Sequence, residues 1–188
     1  MEYRAESDSR GGKRIEAERY WGCQTQRALE NFPIGTERFP RPFIRALGVV
    51  KKGCALANFD LGALSGEKLN PLVRAADEVI EGALDDHFPL KIWQTGSGTQ
   101  TNMNANEVIA NRAIQLMGGR IGSKHPIHPH DDVNKSQSSN DVFPTTMHIA
   151  AVEECLRSLL PRGKEMVETL TGLSDRFRDI ITCGRTHL

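Results

Sequence analysis

Ile149, Val152, Leu156, Leu159, Met166 and Leu170 recur at steps of three and four residues, with one interval of seven, interrupted only by Gly163. That rhythm places them on one stripe of a helix, and its register fits a bundle or coiled-coil helix. A single helix cannot bury such a stripe, so the chain must fold with helical neighbours. The spacing predicts one long helix from Asp141 to about Cys183, capped at its start by Asp141. Pro144 is tolerated in its first turn and Pro161 kinks it.

The rest of the chain also reads as helical. Phe43, Leu47, Val50, Cys54 and Ala57 predict a helix that stops near Gly62. Asn70-Pro71, a cap residue followed by proline, predicts the start of a second, with Leu72, Ala76, Val79 and Ala83 on one face. Ile109, Ala113 and Leu116 predict a third from about Asn104 to Met117, ended by Gly118-Gly119. Leu90 to Trp93 reads as a short extended segment, and residues 119–140 as a loop. Residues 1–42 are rich in charges, glycine and proline, and are expected to form an irregular arm with a short helix near Thr25–Leu29. The expected fold class is mainly α. A helical N-terminal domain over residues 1–140 is followed by the start of a central helical bundle over 141–188.

Charge excludes some partners. The 24 basic and 24 acidic residues balance to a formal net charge of zero, which argues against a nucleic-acid or anionic-membrane footprint. Cys23, Cys54, Cys155 and Cys183 form no paired motif and read as reduced thiols. The N-terminal residues resemble neither a secretory signal nor a transit peptide, and no apolar run approaches the roughly 20 residues needed to span a bilayer. A soluble, cytoplasmic protein is expected.

Four polar clusters carry the candidate chemistry. In Gly96-Ser97-Gly98-Thr99-Gln100-Thr101-Asn102 the glycines admit a ligand close to the backbone, and the hydroxyls offer donors. The loop is not a P-loop, because the lysine that motif requires is missing. Asn102, Asn104, Asn106 and Asn111 follow where a helix should be starting or running. Asparagine forms helices poorly, so bonds to a ligand or a neighbouring loop are expected beyond simple capping. The second cluster puts Ser138, Ser139 and Asn140 at a helix start, where free N–H groups favour an anion. Together the two clusters suggest a carboxylate held by neutral donors. The third, Gly184-Arg185-Thr186-His187, holds a histidine suited to proton transfer or to orienting a water. The fourth, His125-Pro126-Ile127-His128-Pro129-His130-Asp131-Asp132, could ligate a metal, bind a second anion or be a solvated loop.

Several long segments resemble class II, iron-independent fumarate hydratases. They are Tyr20 to Arg27, Asn31 to Gly35, Trp93 to Asn104, Asp132 to Asp141 and Gly184 to Leu188, in the family's order and spacing. The resemblance implies reversible trans addition of water to fumarate, giving L-malate, with no metal or organic cofactor. It implies substrate binding by Ser97, Gly98, Thr99, Ser138, Ser139, Asn140 and Thr186, and proton-transfer chemistry at His187. It also implies a second, non-catalytic dicarboxylate site at His128, Pro129, His130 and Asp131. Members of the family are homotetramers, with each active site built from three subunits. They extend well beyond this length, so the chain is expected to be an N-terminal portion that lacks the family's serine-bearing mobile loop.

The sequence departs from the family at His130, where asparagine is usual, and near His125, where a basic residue, often arginine, is common. It also lacks a usual proline at Ile15-Glu16-Ala17, and has Cys23 for a common alanine. Aspartate ammonia-lyase, of the same superfamily, is the nearest alternative, but Gln100 and Ser139 favour the hydratase. An alternative of another class is a non-enzymatic metal-binding module using the His125–His130 loop.

Overall fold

The computed structural model describes residues 2–187. It is mainly α, with six α-helices and one two-stranded sheet among the described residues. The described residues cluster into two compact units, one ending at Ala150 and the other beginning at Ala151.

The first unit opens with an antiparallel hairpin, β1 (Tyr3–Asp8) and β2 (Gly11–Glu16), in register from Tyr3 opposite Glu16 to Asp8 opposite Gly11. Residues 3–16 are therefore ordered sheet, not the irregular arm expected of them. The strand signal was masked because the buried face of β1 carries Arg4 and Glu6 rather than apolar side chains. The Arg4 guanidinium binds Glu6 and donates to the carbonyls of Glu16, Ala17, Arg19 and Trp21, which folds the chain after β2 around one buried cation. Arg27, in α1 (Cys23–Asn31), holds Asp8 with two hydrogen bonds of 3.0 and 2.9 Å and so pins the hairpin to that helix.

Helices α2 (Arg41–Asp60) and α3 (Gly66–Glu81) follow and pack together through Phe43, Ile44 and Leu47 against Leu72, Ala75, Ala76 and Val79. α3 begins four residues before the expected Asn70-Pro71 start. Ser65 takes the flanking extended conformation, and Pro71 lies inside the helix with its ring buried. Leu69 packs against the core, and this extends the helix backward past a sequence that looks like a start.

Helix α4 (Thr99–Leu116) runs through the middle of the unit and is buried on nearly every side from Thr101 to Ile114. It starts five residues before the expected Asn104, so all four asparagines lie within it. Two of them serve loop backbone. Asn104 donates to the carbonyl of His87 at 3.0 Å, while Asn111 donates to that of Tyr20 at 2.8 Å and accepts from the N–H of Gly122. A glutamate in the same helix does comparable work. Glu107 accepts from the N–H groups of Gly22, Gln24 and Thr25 and from the Thr25 hydroxyl, closing the open N-terminus of α1 from another element. The approach is close enough that a Cβ on Gly22 would lie 2.8 Å from Glu107 Oε1.

Between α3 and α4, the expected extended segment at residues 90–93 is reduced to a single bridge, Lys91 opposite Arg38. Within 119–140 the expected loop contains one π-helical turn, Pro129–Val133. Helix α5 (Ser139–Glu154) then begins two residues before Asp141.

The second unit holds a π-helical stretch, Cys155–Leu159, and helix α6 (Leu160–Arg176). Pro161 occupies the first turn of α6, directly after the π stretch. The irregularity expected of it is expressed as a change of hydrogen-bond pattern. The helix ends at Arg176, not near Cys183, where the β-branched run Ile180-Ile181-Thr182 favours extended backbone. Val152, Leu156, Leu159, Met166 and Leu170 are exposed.

Candidate functional site

The first polar loop is held at both ends. Trp93 Nε1 donates to Glu37 at 3.0 Å, and Gln94 Nε2 donates to the carbonyl of Lys91 and to the Thr101 hydroxyl. Between these anchors the hydroxyls of Ser97 and Thr99 lie 3.2 Å apart and face solvent. Gly98 turns the chain into α4 with a φ of 72°, the left-handed region where a side chain is strained. Its Cα faces Phe143 of α5, and a Cβ there would lie 2.2 Å from the ring. Phe143 in turn packs with Phe39 and Phe43, ring centroids 5.8 and 5.1 Å away. A rigid aromatic cluster therefore sets the height of the glycine loop.

The second cluster sits at the start of α5. The carbonyl of Ser138 accepts from the N–H groups of Asp141 and Val142, and its hydroxyl accepts from the N–H of Asn140 at 3.3 Å. Ser138 and Asn140 are exposed, and Ser139 is half-buried.

These two clusters meet through a buried amide. Asn102 Nδ2 donates to Ser139 Oγ at 2.8 Å and to Asn134 Oδ1 at 2.9 Å. Asn134 Oδ1 also accepts from Asn106 Nδ2 and from the Lys51 ammonium, both at 3.1 Å. Lys51 donates further to Gln137 Oε1 at 2.9 Å, and Asn58 clamps the same turn by donating to the carbonyl of Lys135. The Oδ1 atoms of Asn102 and Asn106 are buried without a hydrogen-bond partner. Burial pulls the Lys51 amine down to about 7 from its usual 10.5. The exposed hydroxyls of the two clusters thus rest on a buried polar layer with Lys51 beneath it.

The histidine loop makes a different arrangement. His128 Nδ1 lies 3.2 Å from both the N–H and the carboxylate of Asp131. Asp132 accepts from the N–H of His128 and pairs with Lys68 at 2.8 Å. His130 and Asp131 are exposed, and Pro129 is buried. Among the described residues no group of three or more His, Cys, Asp or Glu side chains is placed to hold a metal ion. A cavity of about 340 Å³ borders the first loop at Thr99 and Gln100, and carries Arg10 and Arg27 from the hairpin side.

Thr186 and His187 belong to the second unit, where both are exposed. Nearby, Cys183 Sγ lies 3.0 Å from the carbonyl oxygen of Arg185.

Sequence reasoning missed Lys51, Asn134 and Gln137. Lys51 stands on the apolar stripe of α2, four residues after Leu47 and three before Cys54, but a lysine there reads as a solvated charge. Asn134 and Gln137 lie within a segment whose serines drew attention instead.

Comparison with known proteins bears out the resemblance read from the motifs. A family model described as lyase matches residues 11–188. The class II fumarate hydratase of Caulobacter vibrioides is 55% identical over 184 residues, which is 98% of this chain and 40% of that protein. The mitochondrial fumarate hydratase of Rhizopus oryzae is 56% identical over 190 residues, 100% of this chain and 38% of that protein. Among solved structures, the native form of a Brucella melitensis protein described as fumarate lyase:delta crystallin superposes with a TM-score of 0.94 at 39% identity. The match covers 100% of this chain and 44% of that one. Recombinant class II fumarase from Schistosoma mansoni gives a TM-score of 0.93 at 40% identity, over 99% of this chain and 39% of that one. The chain spans about 40% of the length of the Caulobacter relative.

Proposed function

From a chain that belongs to the lyase family, we propose the function of a class II fumarate hydratase: reversible trans addition of water to fumarate, giving L-malate. The observation that carries this reading is the Asn102 amide, which joins the Ser97–Thr99 loop and the Ser138–Asn140 helix start into one donor-rich surface. Ser97, Gly98, Thr99, Ser138, Ser139 and Asn140 hold the substrate carboxylates, together with Thr186. A carboxylate bound by neutral hydroxyls and backbone N–H groups keeps its charge without a buried ion pair. The same donors stabilise the negative charge that builds next to it when the carbon acid loses its proton. His187 serves the proton transfer, directly or by orienting a water.

In this reading residues 1–140 form the N-terminal lyase domain and 141–188 the start of a central helical-bundle domain. The assembly is a homotetramer, acting in the cytoplasm. No helix among the described residues is long and apolar enough to cross a membrane. His128, Pro129, His130 and Asp131 form the second dicarboxylate site. The Nδ1 of His128 is engaged by Asp131 within the turn, which leaves Nε2 to meet a ligand.

The test is a chimera in which this chain replaces the matching segment of the Caulobacter vibrioides enzyme. Hydration of fumarate to malate at a rate near that of the parent is expected. Ammonia-dependent consumption of fumarate without malate would replace the reading by aspartate ammonia-lyase.

A further inference from the structure

Lys51 is almost wholly buried, at 2% exposure, and its ammonium nitrogen donates to two side-chain amide oxygens, Asn134 Oδ1 and Gln137 Oε1. A buried cation facing amides alone contributes little obvious stability, because its desolvation is not offset by an opposite charge. It does impose direction. Charged or neutral, the amine carries enough N–H bonds to donate to both amides, and both turn oxygen toward it.

The consequence passes along the network. Asn134 is held at both ends of its amide, its Oδ1 by Lys51 and its Nδ2 by the carbonyl of Gln137 at 3.1 Å, so Asn102 meets it with the Nδ2 side, at 2.9 Å. The other Nδ2 hydrogen of Asn102 then faces Ser139, at 2.8 Å. Ser139 Oγ must accept that bond, and its own proton is left to point elsewhere. Asn106 reinforces the arrangement by donating to the same Asn134 oxygen at 3.1 Å. The orientation is kept although it leaves Asn102 Oδ1 buried and unpartnered. Such an orphan carries a real cost, so the donors around Asn134 outweigh it.

We propose that Lys51 is a positioning residue which, through Asn134 and Asn102, fixes the Ser139 hydroxyl as a hydrogen-bond donor toward the substrate carboxylate. The inference rests on the reading of Ser139 as a substrate-binding residue. Lys51 itself does not touch the substrate. Without Lys51 one of the bonds that hold Asn134 is gone, and its nitrogen can turn toward Asn102 at the cost of the bond to the Gln137 carbonyl. Asn102 then presents oxygen to Ser139, and the hydroxyl proton is spent inside the protein.

The experiment uses four versions of the chimera: unsubstituted, Lys51→Met, Ser139→Ala and the double variant. Lys51→Met is expected to raise KM for fumarate roughly tenfold and to lower kcat as well, since the lost bond holds the carboxylate in the ground state and strengthens as charge builds beside it. A merely structural role would lower the amount of active enzyme, and hence kcat, and leave KM alone. In the Ser139→Ala background the same substitution should change KM by less than about twofold, the mark of two residues acting through one interaction. Urea unfolding of the four proteins should be non-additive as well, a readout that needs no substrate. An unchanged KM in Lys51→Met, an equal rise in both backgrounds, or additive unfolding would each overturn the proposal. If the unsubstituted chimera fails to hydrate fumarate, the functional reading falls by itself, and the unfolding cycle still decides whether Lys51 and Ser139 share a network. Should Lys51→Met not fold, Lys51→Gln, which can turn either oxygen or nitrogen to Asn134, is expected to give the same pattern.

Discussion

Glu107 Oε2 accepts both the backbone N–H of Thr25, at 3.1 Å, and its hydroxyl, at 2.6 Å, so a carboxylate in the middle of α4 caps the start of α1. Burial pushes the Glu107 carboxyl upward, and its hydrogen bonds with Thr25, Gln24 and Gly22 pull against that shift. Glu107→Gln presents an N–H₂ group to N–H donors and leaves at least one of them unsatisfied. A loss of about 2–3 kcal/mol in unfolding free energy is expected, the scale of a buried donor left without a charged acceptor. A loss below about 0.5 kcal/mol would show that the helix start is satisfied in another way.

Gly98 supports a second prediction, because two penalties coincide there. Its φ of 72° strains any side chain, and the ring of Phe143 fills the space a Cβ would need. Gly98→Ala should cost about 2–4 kcal/mol of stability, combining left-handed strain with overpacking. Adding Phe143→Leu should recover part of that cost, because it relieves the contact and not the backbone. Full recovery would assign the whole effect to the ring, and none would assign it to φ. Thermal unfolding of the three variants decides.

The legible and the hidden parts of this fold separate by the kind of burial involved. Helix α2 was readable because Phe43 and Leu47 bury an apolar stripe. The Ser139 and Gly98 loops were readable because hydroxyls and glycines cluster there for few other reasons. The hairpin was hidden because Arg4 and Glu6 form its buried face, an inversion of the usual alternation. Lys51 was hidden for a related reason: a charged side chain on the apolar stripe, beside the half-buried Lys52, reads as part of a solvated face. The start of α4 was missed because asparagines argue against helix, and only the loops that receive their hydrogen bonds explain why Asn102 and Asn104 are there.

Lys51 also predicts a pH dependence whose sign can be worked out. Its folded-state value of about 7 lies below the ordinary 10.5 that the unfolded chain retains. Between these limits the unfolded chain binds more protons than the folded one, so this residue's contribution to stability rises with pH. Below about 7 both states carry the proton and the burial penalty is felt in full. The Cys23 thiol, raised from 9.0 to about 11 by burial, works in the opposite direction, because the folded state keeps a proton that the unfolded state has lost. The clean window therefore runs from pH 7 to 9. There the unfolding free energy of the unsubstituted protein, relative to Lys51→Met, should rise by about 1 kcal/mol per pH unit, near the limit for one proton. A flat difference would mean that Lys51 keeps its proton in the fold.

His187 is the residue on which the proposed chemistry depends most directly. In the chimera, His187→Asn preserves size and one polar contact while removing a group that titrates near neutrality. It should lower kcat for fumarate hydration by roughly 10²-fold or more, the scale of losing a general acid–base partner. Turnover within a few-fold of the unsubstituted chimera would restrict His187 to positioning.

The second unit exposes Val152, Leu156, Leu159, Met166, Val167 and Leu170 along its helical stretches. Scattered apolar residues on a surface need no partner, but a stripe in helical register forms a continuous patch of the kind that drives association. The 188-residue chain on its own is therefore expected to self-associate. Sedimentation velocity should show a distribution that shifts to larger species as concentration rises. Leu156→Glu together with Leu170→Glu should move it back toward the monomer while leaving the first unit folded, since neither residue belongs to the buried core. Helicity by circular dichroism should stay close to that of the unsubstituted chain, because glutamate is a good helix former at exposed positions. A concentration-independent monomer before any substitution would show that the stripe does not drive association.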